Sequence, residues 1–161
     1  MLFRSETFPY ALNGEVFAIS PVSFFQANHS LAPDLIRAAT AFAEDGDVLL
    51  DLYGGFGAYS FHARKNFQQV LVVDGNRAAI AAMTAHAAKV GAKSMKGYAM
   101  TCEQFLDSEL SRDTTERVSH IIVNPARTGL SPEVRAHLTT ETFPMLKAVH
   151  YVSCNPSTFA R

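Results

Sequence analysis

The sequence predicts an α/β domain with a mostly parallel sheet wound on both faces by helices. Two observations indicate this class. Apolar runs at 48–50, 70–73, 118–123 and 148–153 alternate with stretches of helical length, and strands that alternate with helices pair in parallel through right-handed crossovers. In addition, a glycine-rich turn at 51–57 follows the first run, at the place where doubly wound sheets bind their ligands.

The composition is that of an ordinary globular chain. Its 161 residues are 48% hydrophobic and 18% charged, which predicts a single domain over residues 1–161 with a core of its own. Fourteen basic residues against fifteen acidic ones give a net charge of −1. The chain therefore has no large excess of positive charge with which to hold a phosphate backbone over a wide area.

Cysteine usage and hydropathy indicate the cellular setting. The two cysteines, Cys102 and Cys154, lie far apart and form no metal-ligand spacing, which predicts a reducing compartment and no structural metal. The first residues lack the apolar centre of a signal peptide, and no run reaches the length of a membrane span. We therefore expect a soluble, cytoplasmic protein.

A small β-ribbon is predicted at the N-terminus, over residues 1–20. Two apolar segments, 8–12 and 15–19, flank the pair Asn13-Gly14, and an Asn-Gly pair between such segments is a strong hairpin signal. The ribbon leads into the main sheet.

A helix is predicted between the ribbon and the first strand of the main sheet. Ser30 is its expected N-cap, and Pro33 falls in the first turn, where proline is tolerated. Its expected buried stripe consists of Leu31, Leu35, Ala38 and Phe42.

The elements after the glycine turn alternate as the fold class requires. Residues 76–90 are rich in alanine and are followed by Gly91, which predicts a helix and its C-terminal end. In chain order we then expect a strand at 95–99, a helix at 101–110, a strand at 118–123, a helix at 132–140 and a strand at 148–153.

The glycine turn has the character of a cofactor-binding turn. Asp51 closes a buried strand, and three of the four residues at 54–57 are glycine, so the backbone can approach a ligand without Cβ atoms in between. Asp74 closes the next apolar run, at the spacing of about 20 residues expected for a ribose-binding carboxylate. The alternatives are a loop that only connects a strand to a helix, and a solvated acid at a helix N-terminus.

Three polar segments follow predicted strands, namely 51–57, 124–129 and 153–156. If the first, fourth and fifth strands of the sheet are neighbours, about 4.8 Å apart, these segments meet in one cleft at the carboxyl ends of the strands.

Four motifs together resemble the RNA uracil-5-methyltransferases, which make 5-methyluridine in tRNA and ribosomal RNA. They are Phe-Phe-Gln-Ala-Asn at 24–28, Asp-Leu-Tyr-Gly-Gly-Phe-Gly at 51–57, Asn-Pro-Ala-Arg-Thr-Gly at 124–129 and Tyr-Val-Ser-Cys-Asn-Pro-Ser-Thr at 151–158. The cysteine motif is the most specific, whereas many S-adenosylmethionine enzymes share the glycine motif. The resemblance implies a Rossmann-like class I methyltransferase fold, S-adenosylmethionine as cofactor and RNA as substrate.

The resemblance also implies roles for individual residues. Cys154 is the expected nucleophile, which adds to C6 of the target uracil so that C5 can accept the methyl group. The expected substrate-binding residues are Phe24, Asn124 and Arg127. The expected cofactor-binding residues are Gln26, Asp51, Tyr53, Gly55, Gly57, Asp74 and Asn124.

Simpler interpretations exist for several of these residues. Cys154 can be a small thiol at a strand end and Asn124 a turn-forming residue. Arg127, for which the functional roles are a phosphate contact or support of the cysteine loop, can be a surface arginine. Cys102, outside any motif, is expected to be an ordinary core thiol.

The chain departs from the family pattern in several places. Gly54 stands where the family usually has cysteine, which should cost packing, and His150 replaces an apolar residue. Family members carry a glutamate base and further strands after the cysteine motif, and an RNA-binding part before the catalytic domain. We therefore expect a fragment of a catalytic domain.

Three other functions fit parts of the sequence. A nicotinamide-binding domain half-matches at 55–60, with Ser60 in place of the third glycine. The absence of the family's glutamate base fits a non-catalytic S-adenosylmethionine-binding module. An amino-group RNA methyltransferase fits Asn124-Pro125, although an aromatic residue normally follows that pair, and this alternative predicts activity without Cys154.

Overall fold

The computed structural model describes residues 7–20, 28–41, 44–108, 114–155 and 157. These residues form a two-stranded antiparallel sheet and a five-stranded parallel sheet with flanking helices. The strands are β1 Phe8–Leu12, β2 Glu15–Ile19, β3 Gly46–Leu52, β4 Phe67–Val73, β5 Met95–Tyr98, β6 Val118–Val123 and β7 Ala148–Tyr151. The helices are α1 Ala32–Thr40, α2 Ala58–Ala63, α3 Arg77–Lys89, α4 Cys102–Leu106 and α5 Pro132–His137, with a 3₁₀ turn at Arg64–Asn66 after α2.

The main sheet has the strand order β5-β4-β3-β6-β7, and every neighbouring pair is parallel. Leu52 at the end of β3 pairs with Val73 of β4 on one side and with Val123 of β6 on the other. Val123 in turn pairs with Tyr151 of β7. The predicted fold class and the predicted neighbourhood of β3, β6 and β7 are therefore confirmed.

The central strands are buried on both faces. On one face, Leu49 and Val72 join a core with the ribbon and helices α1, α2 and α3. On the other, Leu50 and Leu71 join a second core with α4 and α5. Every residue of β6 is buried, as expected for a central strand of a sheet that is covered on both sides.

The N-terminal ribbon is confirmed. Asn13 and Gly14 both have positive φ, 49° and 81°, which the two-residue turns that match the twist of paired strands require. Tyr10 and Phe17 form a pair across the ribbon. Both are buried in the core shared with α2 and α3, so the ribbon belongs to the main body of the domain.

The predicted cap and buried stripe of α1 are wrong. The helix begins one residue later than expected, so that Leu31 and not Ser30 occupies the cap position. The Leu31 N–H donates to Asn28 Oδ1 at 3.2 Å. Leu31 is 58% and Leu35 37% exposed. Phe42 lies outside the described residues.

The buried face of α1 is Ala32, Ile36 and Thr40. Thr40 is tolerated there because its hydroxyl donates to the Ile36 carbonyl at 2.7 Å, which satisfies the buried polar atom. The predicted stripe followed the spacing of apolar residues, Ala38 among them, whereas the observed buried face includes the polar Thr40.

Several element ends also differ from the prediction. Helix α4 ends at Leu106 and α5 at His137, both earlier than expected, and β3 extends from Gly46 to Leu52. Helix α3 agrees well, since Asn76 caps it by accepting from two backbone N–H groups and Gly91 follows with φ of 70°. His150, the departure in β7, is buried with its Nδ1 3.0 Å from the Ala39 carbonyl oxygen of α1.

Candidate active site

The glycine turn leaves β3 through left-handed backbone. Tyr53, Gly55 and Gly57 have φ of 59°, 57° and 81°, and the Gly57 N–H donates to the Gly54 carbonyl at 2.8 Å. Left-handed backbone favours glycine, and at Tyr53 it is uncommon for a residue with a side chain. Helix α2 begins directly after Gly57, so the turn converts the strand into a helix within five residues.

The glycines of the turn differ in what surrounds them. A Cβ on Gly54 would lie 2.6 Å from Val72 Cγ1, so this side of the turn packs tightly on β4. The loss of packing that was expected from glycine in place of the family's cysteine is therefore absent at Gly54. A Cβ on Gly57 would lie 3.0 Å from Met83 Cγ, whereas a Cβ on Gly55 would meet nothing within 4 Å. Only Gly55 of these three has open space beside it.

Asp51 lies fully buried behind the turn. Its Oδ2 accepts a 2.6 Å hydrogen bond from Ser60 Oγ on α2, and its Oδ1 has no hydrogen-bond partner among the described residues. Burial raises the pKa of Asp51 to about 7. Ser60, where a dinucleotide-binding turn would have its third glycine, thus links α2 to the end of β3.

Asp74 connects the glycine turn to the start of α3. Its Oδ2 accepts from the Gly55 N–H at 2.8 Å, and its Oδ1 accepts from the Asn76 N–H at 2.7 Å. Because one carboxylate orders both the loop after β3 and the loop after β4, the two loops keep a fixed spacing.

A pocket of about 410 Å³ opens at this edge of the sheet, within the usual volume range of small-molecule sites. Its lining includes residues that follow the strand ends, namely Tyr53, Gly55, Asp74, Asn124 and Arg127. It also includes the aromatic and aliphatic residues Tyr10, Leu12, Ile36 and Phe56. Asp51 and Gly57 do not line the pocket, so they support the turn from its buried side.

The loop after β6 reaches the pocket as predicted. The Asn124 N–H lies 3.4 Å from the Leu52 carbonyl oxygen, which joins the ends of β6 and β3. Asn124 is partly buried and Arg127 is exposed. The structure thus brings two predicted substrate residues beside the predicted cofactor residues, while their roles stay predictions.

The two cysteines occupy opposite environments. Cys102 is buried, and burial raises the pKa of its thiol to about 12. Cys154 is exposed in the loop after β7. The burial expected of Cys102 is confirmed, whereas the role of Cys154 stays a prediction.

The loop around Cys154 is held by local hydrogen bonds. Ser153 Oγ accepts from the Asn155 N–H at 3.1 Å and donates to its carbonyl at 2.9 Å. The Val152 N–H donates to the Val123 carbonyl at 2.9 Å, which ties the loop to the end of β6. Cys154 therefore lies at the same edge of the sheet as Asn124, although it does not line the 410 Å³ pocket.

Two predicted residues, Phe24 and Gln26, lie outside the described part of the chain. Sequence reasoning missed the apolar wall made by Tyr10, Leu12 and Ile36. Their pattern is that of ordinary core positions, and no feature of the sequence distinguishes them. Within the described ranges, no cluster of three or more acidic, histidine or cysteine side chains has a metal-binding arrangement, and no helix is long and apolar enough to cross a membrane.

A doubly wound parallel sheet, with a glycine turn after its central strand and an acid after the next, defines a Rossmann-like domain that binds a nucleotide-containing cofactor. The loops after β6 and β7 add an asparagine and an exposed cysteine to this edge. The chain belongs to the tRNA (uracil-5-)-methyltransferase family, whose sequence model matches residues 6–161.

Named relatives act on two kinds of RNA. The chain is 32% identical to a 23S rRNA (uracil(747)-C(5))-methyltransferase of Halothiobacillus neapolitanus, over 100% of this chain and 42% of that protein. It is 33% identical to a tRNA (uracil(54)-C(5))-methyltransferase of Pyrococcus horikoshii, over 93% of this chain and 34% of that protein.

A solved structure supports the same family. The tRNA (uracil-54, C5)-methyltransferase of Pyrococcus abyssi, in complex with S-adenosyl-L-homocysteine, superposes with a TM-score of 0.76 at 28% identity, over 97% of this chain and 36% of that one. The chain thus spans between about a third and two fifths of the length of these three proteins.

Proposed function

We propose that this chain binds S-adenosylmethionine and transfers its methyl group to C5 of a uridine in tRNA or ribosomal RNA. The observation that carries the proposal is that the glycine turn, Asp74 and the loop from Asn124 to Arg127 line a single pocket. Family membership supports the chemistry, and the related structure with S-adenosyl-L-homocysteine supports the cofactor. Both RNA classes stay in the proposal because relatives of both kinds match the chain.

The residues present fit the cofactor. Asp74 lines the pocket, and its carboxylate can accept hydrogen bonds from ribose hydroxyls. Gly55 leaves open space beside the backbone. Tyr53 and Asn124 line the same cavity, and Gln26 completes the proposed set. Asp51 and Gly57 support the turn from behind. When bound, the cofactor supplies an electrophilic methyl group on its sulfonium, and the sulfur keeps the electron pair of the broken bond.

Cys154 activates the uracil ring. Its thiolate adds to C6, forming an S–C6 bond while the C5–C6 electron pair moves onto C5 and the adjacent carbonyl. C5 then forms its bond to the methyl carbon. Loss of the C5 proton to a base returns an electron pair to the C5–C6 bond, and the C6–S bond breaks with its electrons leaving on the Cys154 sulfur. Cys102 is unsuited to this step because it is buried with a raised pKa.

The residues beside the pocket orient the RNA. The Asn124 side-chain amide can donate to and accept from the uracil edge, which offers one N–H and two carbonyl oxygens. Arg127 is exposed at the pocket and suits a phosphate, which its guanidinium can hold through two parallel hydrogen bonds. Phe24 is the proposed stacking partner of a base taken out of its stack.

An RNA that carries 5-fluorouridine tests this chemistry. Fluorine at C5 cannot leave as a proton, so addition by Cys154 and methyl transfer should leave a protein–RNA adduct that survives denaturing electrophoresis. We expect the adduct to form in the presence of S-adenosylmethionine and to be absent in Cys154→Ala.

Cys102→Ala is the matched control and should form the adduct normally. Methylation of uridine by Cys154→Ala, or an adduct mapped to Cys102, would overturn the mechanism. Methylation of an amino group that survives loss of Cys154 would instead favour the amino-group methyltransferase alternative. Comparing tRNA and ribosomal RNA fragments in the same assay distinguishes the two substrate classes.

A further inference from the structure

The ribbon formed by β1 and β2 is a wall of the cofactor pocket. Tyr10 and Leu12 of β1 line the cavity. The Tyr10 ring meets the ring of Phe56, which belongs to the glycine turn, edge to face at 5.8 Å between centroids. A displacement of the ribbon would therefore change the shape of the pocket directly.

Glu15 fastens this ribbon to the rest of the domain. It is the cross-strand partner of Leu12, immediately after the two-residue turn. Its Oε1 lies 2.6 Å from Arg64 Nη1, and its Oε2 lies 2.6 Å from His86 Nε2. One carboxylate thus contacts two side chains from two separate elements.

The contacts of Glu15 are shielded from water. The exposed fractions of the side chains are 22% for Glu15, 19% for Arg64 and 5% for His86. Phe17 of the ribbon and Phe61 of α2 enclose the His86 ring, with centroids 4.2 and 4.8 Å away. In such surroundings the ion pair between Glu15 and Arg64 is stronger than an exposed pair would be.

Both partners of Glu15 belong to segments that begin at the cofactor turns. Helix α2 starts directly after Gly57 and leads into the 3₁₀ turn that carries Arg64. Helix α3 starts next to Asp74, is capped by Asn76 and carries His86 in its last turn. Glu15 therefore joins the ribbon to the far ends of two segments whose near ends follow the glycine turn and Asp74.

We propose that Glu15 is a positioning residue for the cofactor pocket, which fixes the wall made by Tyr10 and Leu12 through its joint contacts with Arg64 and His86. Glu15 does not line the pocket itself. The inference rests on the proposed function, because it takes S-adenosylmethionine or its demethylated product as the ligand that the wall contacts.

Titration calorimetry of the chain with S-adenosyl-L-homocysteine tests this role. Glu15→Gln keeps the length of the side chain but removes its charge, and we expect a dissociation constant at least about fivefold higher. Glu15→Asp keeps the charge but is one methylene too short to reach both partners, so its effect should be intermediate. If Glu15→Gln fails to fold, Glu15→Asp carries the test.

Asp47→Asn is the matched control. Asp47 also joins distant parts of the chain, through two hydrogen bonds of 2.7 and 2.8 Å to Arg117. It lies at the amino end of β3, whereas the pocket lies at the carboxyl ends of the strands. We expect this variant to lose thermal stability without weakening the binding of S-adenosyl-L-homocysteine.

Leu12→Ala separates positioning from a general loss of stability. Once the wall is truncated, holding it in place matters less, so Glu15→Gln should weaken binding by a smaller factor in the Leu12→Ala background than in the wild type. Equal factors in both backgrounds would overturn the proposal, as would unchanged binding in Glu15→Gln and Glu15→Asp. Absence of binding by the wild-type chain would instead contradict the proposed function itself.

Discussion

The glycine turn and the cysteine loop lie at the same edge of the sheet but are held in different ways. Side chains distant in sequence fix the turn, since Asp51 bonds to Ser60 and Asp74 bonds to Gly55. In the loop around Cys154, Ser153 bonds to Asn155, only two positions away. The proposed cofactor half of the site is therefore fixed by contacts between separate elements, whereas the proposed nucleophile lies in an exposed loop.

The largest effect is expected at Asp51 as the pH changes. Burial raises the pKa of Asp51 to about 7 in the folded protein, whereas an unfolded aspartate titrates near about 3.9. Between these values the folded state holds a proton that the unfolded state has lost. The contribution to stability is therefore complete below about pH 4 and is lost as the pH rises through about 7.

Asp51→Asn removes this titration while keeping the shape of the side chain. We expect the free energy of unfolding of the wild type, relative to that of Asp51→Asn, to fall by on the order of 3 kcal/mol between pH 4 and pH 8. Urea unfolding at a series of pH values measures this difference, and the histidines cancel because both proteins share them. Parallel stability curves for the two proteins would show that folding does not raise the pKa of Asp51.

The next largest effect is expected when Asp74 is removed. Asp74→Ala deletes the acceptor of the Gly55 and Asn76 N–H groups as well as the proposed ribose contact. We expect binding of S-adenosyl-L-homocysteine to weaken by about 1.5–3 kcal/mol, the usual range for hydrogen bonds to a charged group. Calorimetry measures the change. Asp107→Ala, which removes an exposed contact with His137, is the control and should bind normally.

The smallest change in stability is expected in the cysteine loop. Ser153→Ala removes two hydrogen bonds to Asn155 in an exposed segment, so the free energy of unfolding should fall by less than about 1 kcal/mol. The rate of adduct formation with 5-fluorouridine RNA should nevertheless fall severalfold, because Cys154 is no longer confined between its neighbours. A large loss of stability, or an unchanged adduct rate, would break the contrast between loop and turn.

Much of the fold was predictable because its signals are local. Asn13-Gly14 predicts the ribbon turn, and Asn76 and Gly91 delimit α3 through their own backbone requirements. The prediction failed for α1, where two of the three buried residues, Ala32 and Thr40, are small. Thr40 faces the core because it can bond to a carbonyl of its own helix, and a pattern based on large apolar side chains overlooks such a face.

The candidate site was predictable in part for the same reason. Asp74, Asn124 and Arg127 follow strands, and parallel strands that end at one edge bring such residues together. Which of the predicted residues line the pocket was not predictable from the sequence. Asp51 and Gly57, which are also predicted cofactor residues, do not line it and instead pack against Ser60 and Met83.

By itself, the sequence determined the parallel sheet, the ribbon and the glycine turn, because apolar period and turn chemistry act over a few residues. Only the tertiary structure decided that the ribbon forms a wall of the pocket and that Glu15 meets Arg64 and His86 at once. These contacts join residues up to 71 positions apart. Partners at such separations are selected by the packing of whole elements, which no local pattern records.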